Sequence, residues 1–212
     1  MTRAINTTAL AAALLAAATL SACGKPGDER AEGQKNEPTN IVQDAAGAAT
    51  GLATGAVGAV NAEAFVRDAA IGGMYEIESS KLALQRSKNA DIKKAAQTII
   101  ADHTAADGKL KALVSSGKAP GPLPTEMDER RKGMLDNLRG ASDADFDDRY
   151  LDQQTMAHHE AMTAFNGYAQ TGDNADLKAF AAEVAPKLKV HADLVTGLDR
   201  GTKADDEAGA KK

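Results

Sequence analysis

The 212-residue chain contains four histidines, and three of them stand where an apolar residue belongs. Between Ala90 and Ser116, apolar residues recur at Ile92, Ala96, Ile99, Ala106, Leu110 and Leu113, in a seam of alternating steps of four and three. His103 fills the gap in that seam. His158 does the same in the series Leu151, Gln154, Ala161, Phe165, Tyr168, and His191 in the series Leu177, Phe180, Val184, Leu188, Val195, Leu198. His159 falls on the face of Asp152, Thr155, Thr163 and Asn166, so it is expected in water. The stretch from Asn61 to Lys88 has no histidine, but Glu76 lies seven residues after Ala69 and seven before Ala83, on the flank of an apolar stripe. Glu78, about 200° further round the helix, points away.

Height decides whether these groups can meet. Taking helices over 61–88, 90–116, 143–170 and 174–200, the midpoints fall near residues 75, 103, 157 and 187. Glu76, His103 and His158 are each within about one residue of a midpoint, and His191 lies ~6 Å beyond its own at 1.5 Å per residue. Antiparallel packing therefore brings one polar residue per helix toward a central layer. Imidazole and carboxylate together suit a transition metal, which makes Glu76, His103, His158 and His191 candidate ligands for one Zn, Fe or Cu ion. A competing reading is a buried hydrogen-bonded network, joined by Gln154 and by Tyr75 or Tyr150, that only fixes helix register. No helix carries Glu-x-x-His, which argues against a standard di-iron site and against a redox enzyme built on one. Nothing in the sequence marks a substrate cleft, so no catalytic residue is assigned.

The elements that must hold this layer are all helical. Asn61 caps the first helix, whose apolar face is Val66, Ala70, Gly73, Ile77 and Leu84. Gly117 and the proline-rich Ala119–Pro124 stretch end the second. Thr125 with Asp128 starts a short connecting helix carrying Met127, Met134, Leu135 and Leu138. Ser142 or Asp143 opens the third long helix, Gly172 breaks it, and Asp173 or Asn174 caps the fourth. Pro186 is expected to kink the fourth, because proline removes one backbone hydrogen bond. The pattern predicts an all-α, antiparallel four-helix bundle over 61–200, with a short extra connecting helix and a disordered tail at 201–212.

The remainder reads as an address. Residues 1–22 combine Arg3 with the apolar stretch Ala9–Leu20, too short to span a bilayer as a mature helix. Leu20-Ser21-Ala22-Cys23 resembles the bacterial lipobox, in which the cysteine is lipidated and becomes the new N-terminus. Several acyl chains on Cys23 would anchor the chain firmly to a membrane. Gly24, rather than Asp, follows the cysteine, and resembles the sorting signal for the outer membrane, facing the periplasm. Residues 23–44 have the composition of a disordered tether. In 45–60, Gly47, Gly51 and Gly55 recur every four residues, giving either a flexible linker or a small-residue helix capable of self-association or membrane contact. The balance of 25 basic and 30 acidic residues argues against nucleic acid as a partner, and a single cysteine excludes an internal disulfide or a cysteine-based zinc site. A protein partner cannot be named from these features.

Taken together, the spacings in Ala64–Leu198 resemble the ferritin-like family of bacterial envelope proteins catalogued as domain of unknown function 4142. The resemblance rests on Phe65, Glu76 and Lys81-Leu82-Ala83, then on Ala101-Asp102-His103 leading to Leu110. It continues through Phe146-Asp147, Tyr150, Gln154, His158 and Phe165, and closes with Ala185-Pro186-Lys187-Leu188 and His191. Ala185 departs from the pattern, which commonly has Leu before that proline. The resemblance implies a ferritin-like bundle in the envelope, with His158 and not His159 as the matching histidine, and no assigned activity.

Overall fold

The computed structural model describes residues 61–209, with side chains to residue 203. The expected signal at 1–22, Cys23, the tether at 23–44 and the segment 45–60 lie outside the described residues. Five helices follow in order: α1 (Ala62–Arg86), α2 (Ala90–Ser115), α3 (Glu129–Gly140), α4 (Phe146–Thr171) and α5 (Ala175–Gly209). No strand occurs among the described residues.

Side-chain caps set most of the boundaries. Asn61 Oδ1 accepts from the Ala64 amide at 3.1 Å, Asp128 from Arg131 at 2.7 Å and Asn174 from Leu177 at 3.0 Å. Each satisfies an amide that the first turn leaves without a helical partner. The chain departs from expectation at two ends. The helix α4 starts at Phe146 rather than after Ser142 or Asp143, because the Ser142 hydroxyl and the Asp145 carboxylate and amide bond each other and form a separate turn. The helix α5 does not end at Arg200 in a disordered tail but runs to Gly209. Lys203 bridges Asp199 on its own helix and Asp152 on α4, which fastens the extension to the bundle. The helix is continuous through Pro186, and residues 182 and 186 are both exposed, so the bond that proline removes lies on the solvent side.

The contacts fix the topology. Along α1 and α4, Phe65 meets Tyr168, Tyr75 meets Gln153 and Ser80 meets Tyr150, so one helix rises as the other falls. Asp102 with Lys187 and Lys109 with Glu183 give α2 and α5 the same opposed sense. The two hairpins, α1–α2 and α4–α5, close a ring in which neighbours are antiparallel. In that ring α2 and α4 stand at opposite corners and point the same way. The connection between them must therefore travel the length of the bundle, and α3 lies within it.

Two apolar ends enclose a polar middle. At one end Phe65 stacks on Tyr168 at 4.1 Å and meets Phe165 edge-on at 5.0 Å, beside Val66, Leu110, Leu177 and Phe180. At the other, Ala83, Ile92, Ile99, Phe146, Leu151 and Val195 pack together. Helix α3 covers the outside of α1 and α4, setting Met134 and Leu135 against Tyr75 and Ala157. Arg86 secures its end: the guanidinium donates to the carbonyls of Leu138, Arg139 and Ala141, pairs with Asp143 at 2.9 Å and lies 4.5 Å from the centre of the Phe146 ring. It thereby satisfies carbonyls that the last turn of α3 leaves open. Arg86→Met keeps the apolar stem and loses those bonds, so thermal melting should fall by ~5–10 °C, at about 2–4 °C per kcal/mol for a domain of this size.

Candidate metal centre

Between the two apolar ends the buried residues are polar. Helix α1 contributes more of them than its apolar periodicity suggested, because α2, α3 and α4 cover a wide arc of its surface. Tyr75, Glu76, Ser79 and Ser80 are all buried, while Ile77 and Leu84 on the expected stripe are only half-buried. Glu76, expected on the flank, is 2% exposed. Most of the neighbouring groups satisfy one another. The Tyr75 hydroxyl donates to Gln153 Oε1 at 2.7 Å, and Gln153 Nε2 donates to the Met134 carbonyl at 3.0 Å. Gln154 Nε2 donates to Ser79 Oγ at 2.8 Å, and the Ser80 and Tyr150 hydroxyls are 3.0 Å apart.

The histidines differ in using one nitrogen each. His158 Nδ1 lies 2.9 Å from the Gln154 carbonyl, which can only accept, so the ring hydrogen is on Nδ1. His103 Nδ1 faces Glu76 Oε2 at 3.1 Å, and His191 Nε2 faces Asp102 Oδ2 at 3.0 Å; a carboxylate likewise only accepts. This leaves a lone pair on His103 Nε2, His158 Nε2 and His191 Nδ1, and all three atoms are buried without a hydrogen-bond partner. The ring centres are 5.3–5.7 Å apart. One ring nitrogen from each histidine lies within 4.8 Å of the others, so all three fit within about 2.8 Å of a common point, against ~2.0–2.1 Å for a metal–imidazole bond. Closing on an ion needs less than about 1 Å of movement per ring.

The sequence-derived residues thus come together, in unequal roles. His191, expected ~6 Å off level at 1.5 Å per residue, is in the layer, because α5 extends to Gly209 and its midpoint falls at residue 192. His159 is exposed, as its face required. Glu76 holds the ring of His103 and lies 3.6 Å from His158 Nδ1, on the side of both rings away from their free nitrogens. It is not part of the converging set, which consists of the three histidines. Asp102, which positions His191 and is itself held by Lys187 at 2.5 Å, was not singled out from the sequence. Its position next to His103, toward the helix carrying His191, was the available signal.

Burial holds the pKa of His103 and His158 below the ordinary imidazole value, with Glu76 opposing the shift. Burial and the neighbouring His158 do the same to His191, against the pull of Asp102. Burial disfavours the Glu76 carboxylate, but His103, His158, Arg131 and His191 outweigh it and hold its pKa below the usual carboxylate value. The histidines are therefore neutral near pH 7, the state in which imidazole binds a metal.

A family model described as "Domain of unknown function (DUF4142)" matches residues 45–198. Among solved structures, the chain is similar to "CopM in the Cu(II)-bound form", at 18% identity and a TM-score of 0.56, over 66% of this chain and 97% of that one. At that identity the likeness is one of fold. No curated protein matches the sequence.

A buried imidazole with a lowered pKa binds its proton more readily once unfolded, so stability present above the unfolded value of about 6.5 is lost as pH falls below it. The melting temperature of metal-free protein should therefore drop between pH 7 and pH 5. His158→Leu removes one of these rings and should flatten that dependence; an unchanged slope by calorimetry would count against burial of the neutral ring.

Proposed function

The chain belongs to the DUF4142 family, and we propose that it is a lipid-anchored protein of the bacterial envelope whose bundle holds one transition-metal ion through His103, His158 and His191. The observation that carries the reading is the state of the ring nitrogens. Each histidine has one nitrogen committed to a carboxylate or carbonyl and the other buried without a partner, and the converging atoms come from three different helices. A purely structural network would satisfy its members, as the adjoining Tyr75–Gln153 and Ser80–Tyr150 bonds do. Metal-bound histidines have the other arrangement, with the outer nitrogen fixed by an oxygen and the inner one aimed at the ion. The copper-bound neighbour of similar fold is consistent with copper, while Zn and Fe share the same donor preference.

Glu76 and Asp102 then act on the ligands and not on the ion: they set the tautomers of His103 and His191 and raise their basicity. Three imidazoles so deeply buried leave no evident room for a substrate, which favours holding or transferring the metal over catalysis. The sequence Leu20-Ser21-Ala22-Cys23 supports lipidation of Cys23 after loss of residues 1–22, and Gly24 supports placement at the outer membrane, facing the periplasm.

Elemental analysis of untagged protein purified without chelators should find about one ion per chain, or reach that ratio after loading with Zn²⁺ or Cu²⁺. A ratio near zero that added Zn²⁺, Fe²⁺ and Cu²⁺ leave unchanged sinks the metal reading. Glu76→Gln should weaken binding ~10–100-fold at unchanged stoichiometry, whereas replacing any of the three histidines should abolish it. Because the ring pKa values are lowered, affinity should hold at pH 6.5 and decline only at more acidic pH. For the anchor, Cys23→Ser should move the protein from the membrane fraction to the soluble one, and mass spectrometry should find an acylated cysteine at the mature N-terminus.

A further inference from the structure

Three ligands converge on the centre and none of them carries a charge, and both properties bear on which ion it holds. Resting on the metal reading, we propose that the histidine site selects a monovalent, three-coordinate ion, copper as Cu⁺, in preference to Zn²⁺ and Cu²⁺. Each ligand is a neutral imidazole, because the nitrogen turned away from the ion keeps its hydrogen on a carbonyl or a carboxylate. Among the described histidine, cysteine and acidic side chains, only His103, His158 and His191 converge. Zn²⁺ is almost always four-coordinate, and Cu²⁺ favours a tetragonal set of nitrogen and oxygen donors. Either ion would have to bring a water or an anion into a layer whose rings are at most 6% exposed. Cu⁺ has a filled d shell, no preference for a tetragonal field, and accepts three donors in a plane. The spread of the rings agrees: the free nitrogens lie within 4.8 Å of one another, wider than any of these ions needs. At a given bond length the planar arrangement has the widest triangle, so it asks the least movement of the rings.

The fixed charges around the layer point the same way, because they cancel. Asp102, beside His191, is matched by Lys187. Glu76 lies in the field of Arg131, and Arg131 and Arg130 both pair with Glu160, so these two carboxylates and two guanidinium groups sum to zero. Asp107, whose charge is also felt by Glu76, is half-buried at the seam of α1 and α2, where water screens it. Nothing buried is left over to neutralise the second charge of a divalent ion. Stripping an ion of water costs free energy in proportion to the square of its charge, so a divalent ion faces about four times the penalty of a monovalent one. Anionic ligands would offset that difference; neutral imidazoles do not.

The test compares affinities. The metal-free full-length chain is titrated without oxygen against the coloured Cu⁺ chelator bicinchoninate, and in parallel against coloured indicators for Zn²⁺ and Cu²⁺. Kd for Cu⁺ should lie at least ~10³-fold below Kd for either divalent ion; for copper this sets the bound couple about 180 mV above the aqueous one, at 59 mV per tenfold. Ag⁺, monovalent and redox-inert, should compete with Cu⁺ for the same single site. X-ray absorption of the Cu⁺ form should find nitrogen neighbours from the three rings and no fourth donor. Glu76→Gln removes the buried negative charge nearest the rings and should weaken Zn²⁺ more than Cu⁺, because the attraction scales with the charge of the ion. Zn²⁺ or Cu²⁺ held as tightly as Cu⁺, a fourth donor on Cu⁺, or an equal loss for both ions in Glu76→Gln overturns the proposal and leaves the metal centre standing. Failure of the unaltered chain to bind any of these ions saturably defeats the metal reading as well, and so separates the two.

Discussion

Burying Glu76, His103, His158 and His191 at one height of an apolar bundle is a demand on every element around them. An unpaired charge in such a place is destabilising by several kcal/mol, and so is an imidazole N–H with nowhere to donate. The chain meets the demand by giving each ring one oxygen acceptor: Glu76 for His103, the Gln154 carbonyl for His158 and Asp102 for His191. Arg131 helps hold the charge on Glu76 and lies 5.5 Å from the centre of the Tyr75 ring next to it. The second nitrogen of each ring is left over, and that remainder is the origin of the metal reading.

The rest of the fold can be understood as support for this layer. Apolar packing at both ends brings the four long helices together above and below it, so the rings have little freedom to move apart. The long crossover serves a second purpose beyond linking parallel helices at opposite corners. Its helix α3 covers α1 and α4, and Arg130 and Arg131 both reach Glu160 on α4. Helix α1 is thus enclosed on three sides, which is why an acidic residue on it can be fully buried. The structural and functional demands agree in placing charge inside only where a neighbouring helix supplies the counterpart.

Much of this was legible in advance, for identifiable reasons. Histidine in a heptad seam is a local signal, because the period of the helix assigns it to the inside whatever the partners are; this held for His103, His158 and His191 and correctly left His159 in water. Glu76 was placed less well. Its neighbours Tyr75, Ser79 and Ser80 are polar enough to hide the true inward face, whereas Ile77 and Leu84 advertised a different one. The height of His191 was misjudged because a charged stretch that looked like a frayed tail is helix, held to α4 by Lys203. Asp102 was not read as the residue that positions His191, since an acidic residue on a helix is ordinarily a solvated one.

By itself the sequence determined what depends on nearest neighbours and on the helical period: a helical bundle, the approximate limits of its helices, and which three histidines face inward. It also carries Leu20-Ser21-Ala22-Cys23, which resembles a lipobox, and Gly24; these are read as an address and not as structure. Only the tertiary structure decided which nitrogen of each imidazole is free. That choice depends on an acceptor that a neighbouring helix supplies for His103 and His191, and for His158 on which of its own nitrogens turns back to the Gln154 carbonyl. It likewise separated Glu76 from the converging ligand set, for a carboxylate within ~3 Å of a ring N–H is committed to that ring. Periodicity can bring residues to a common layer, but roles within the layer are fixed by distances of a few tenths of an ångström between groups far apart in the chain.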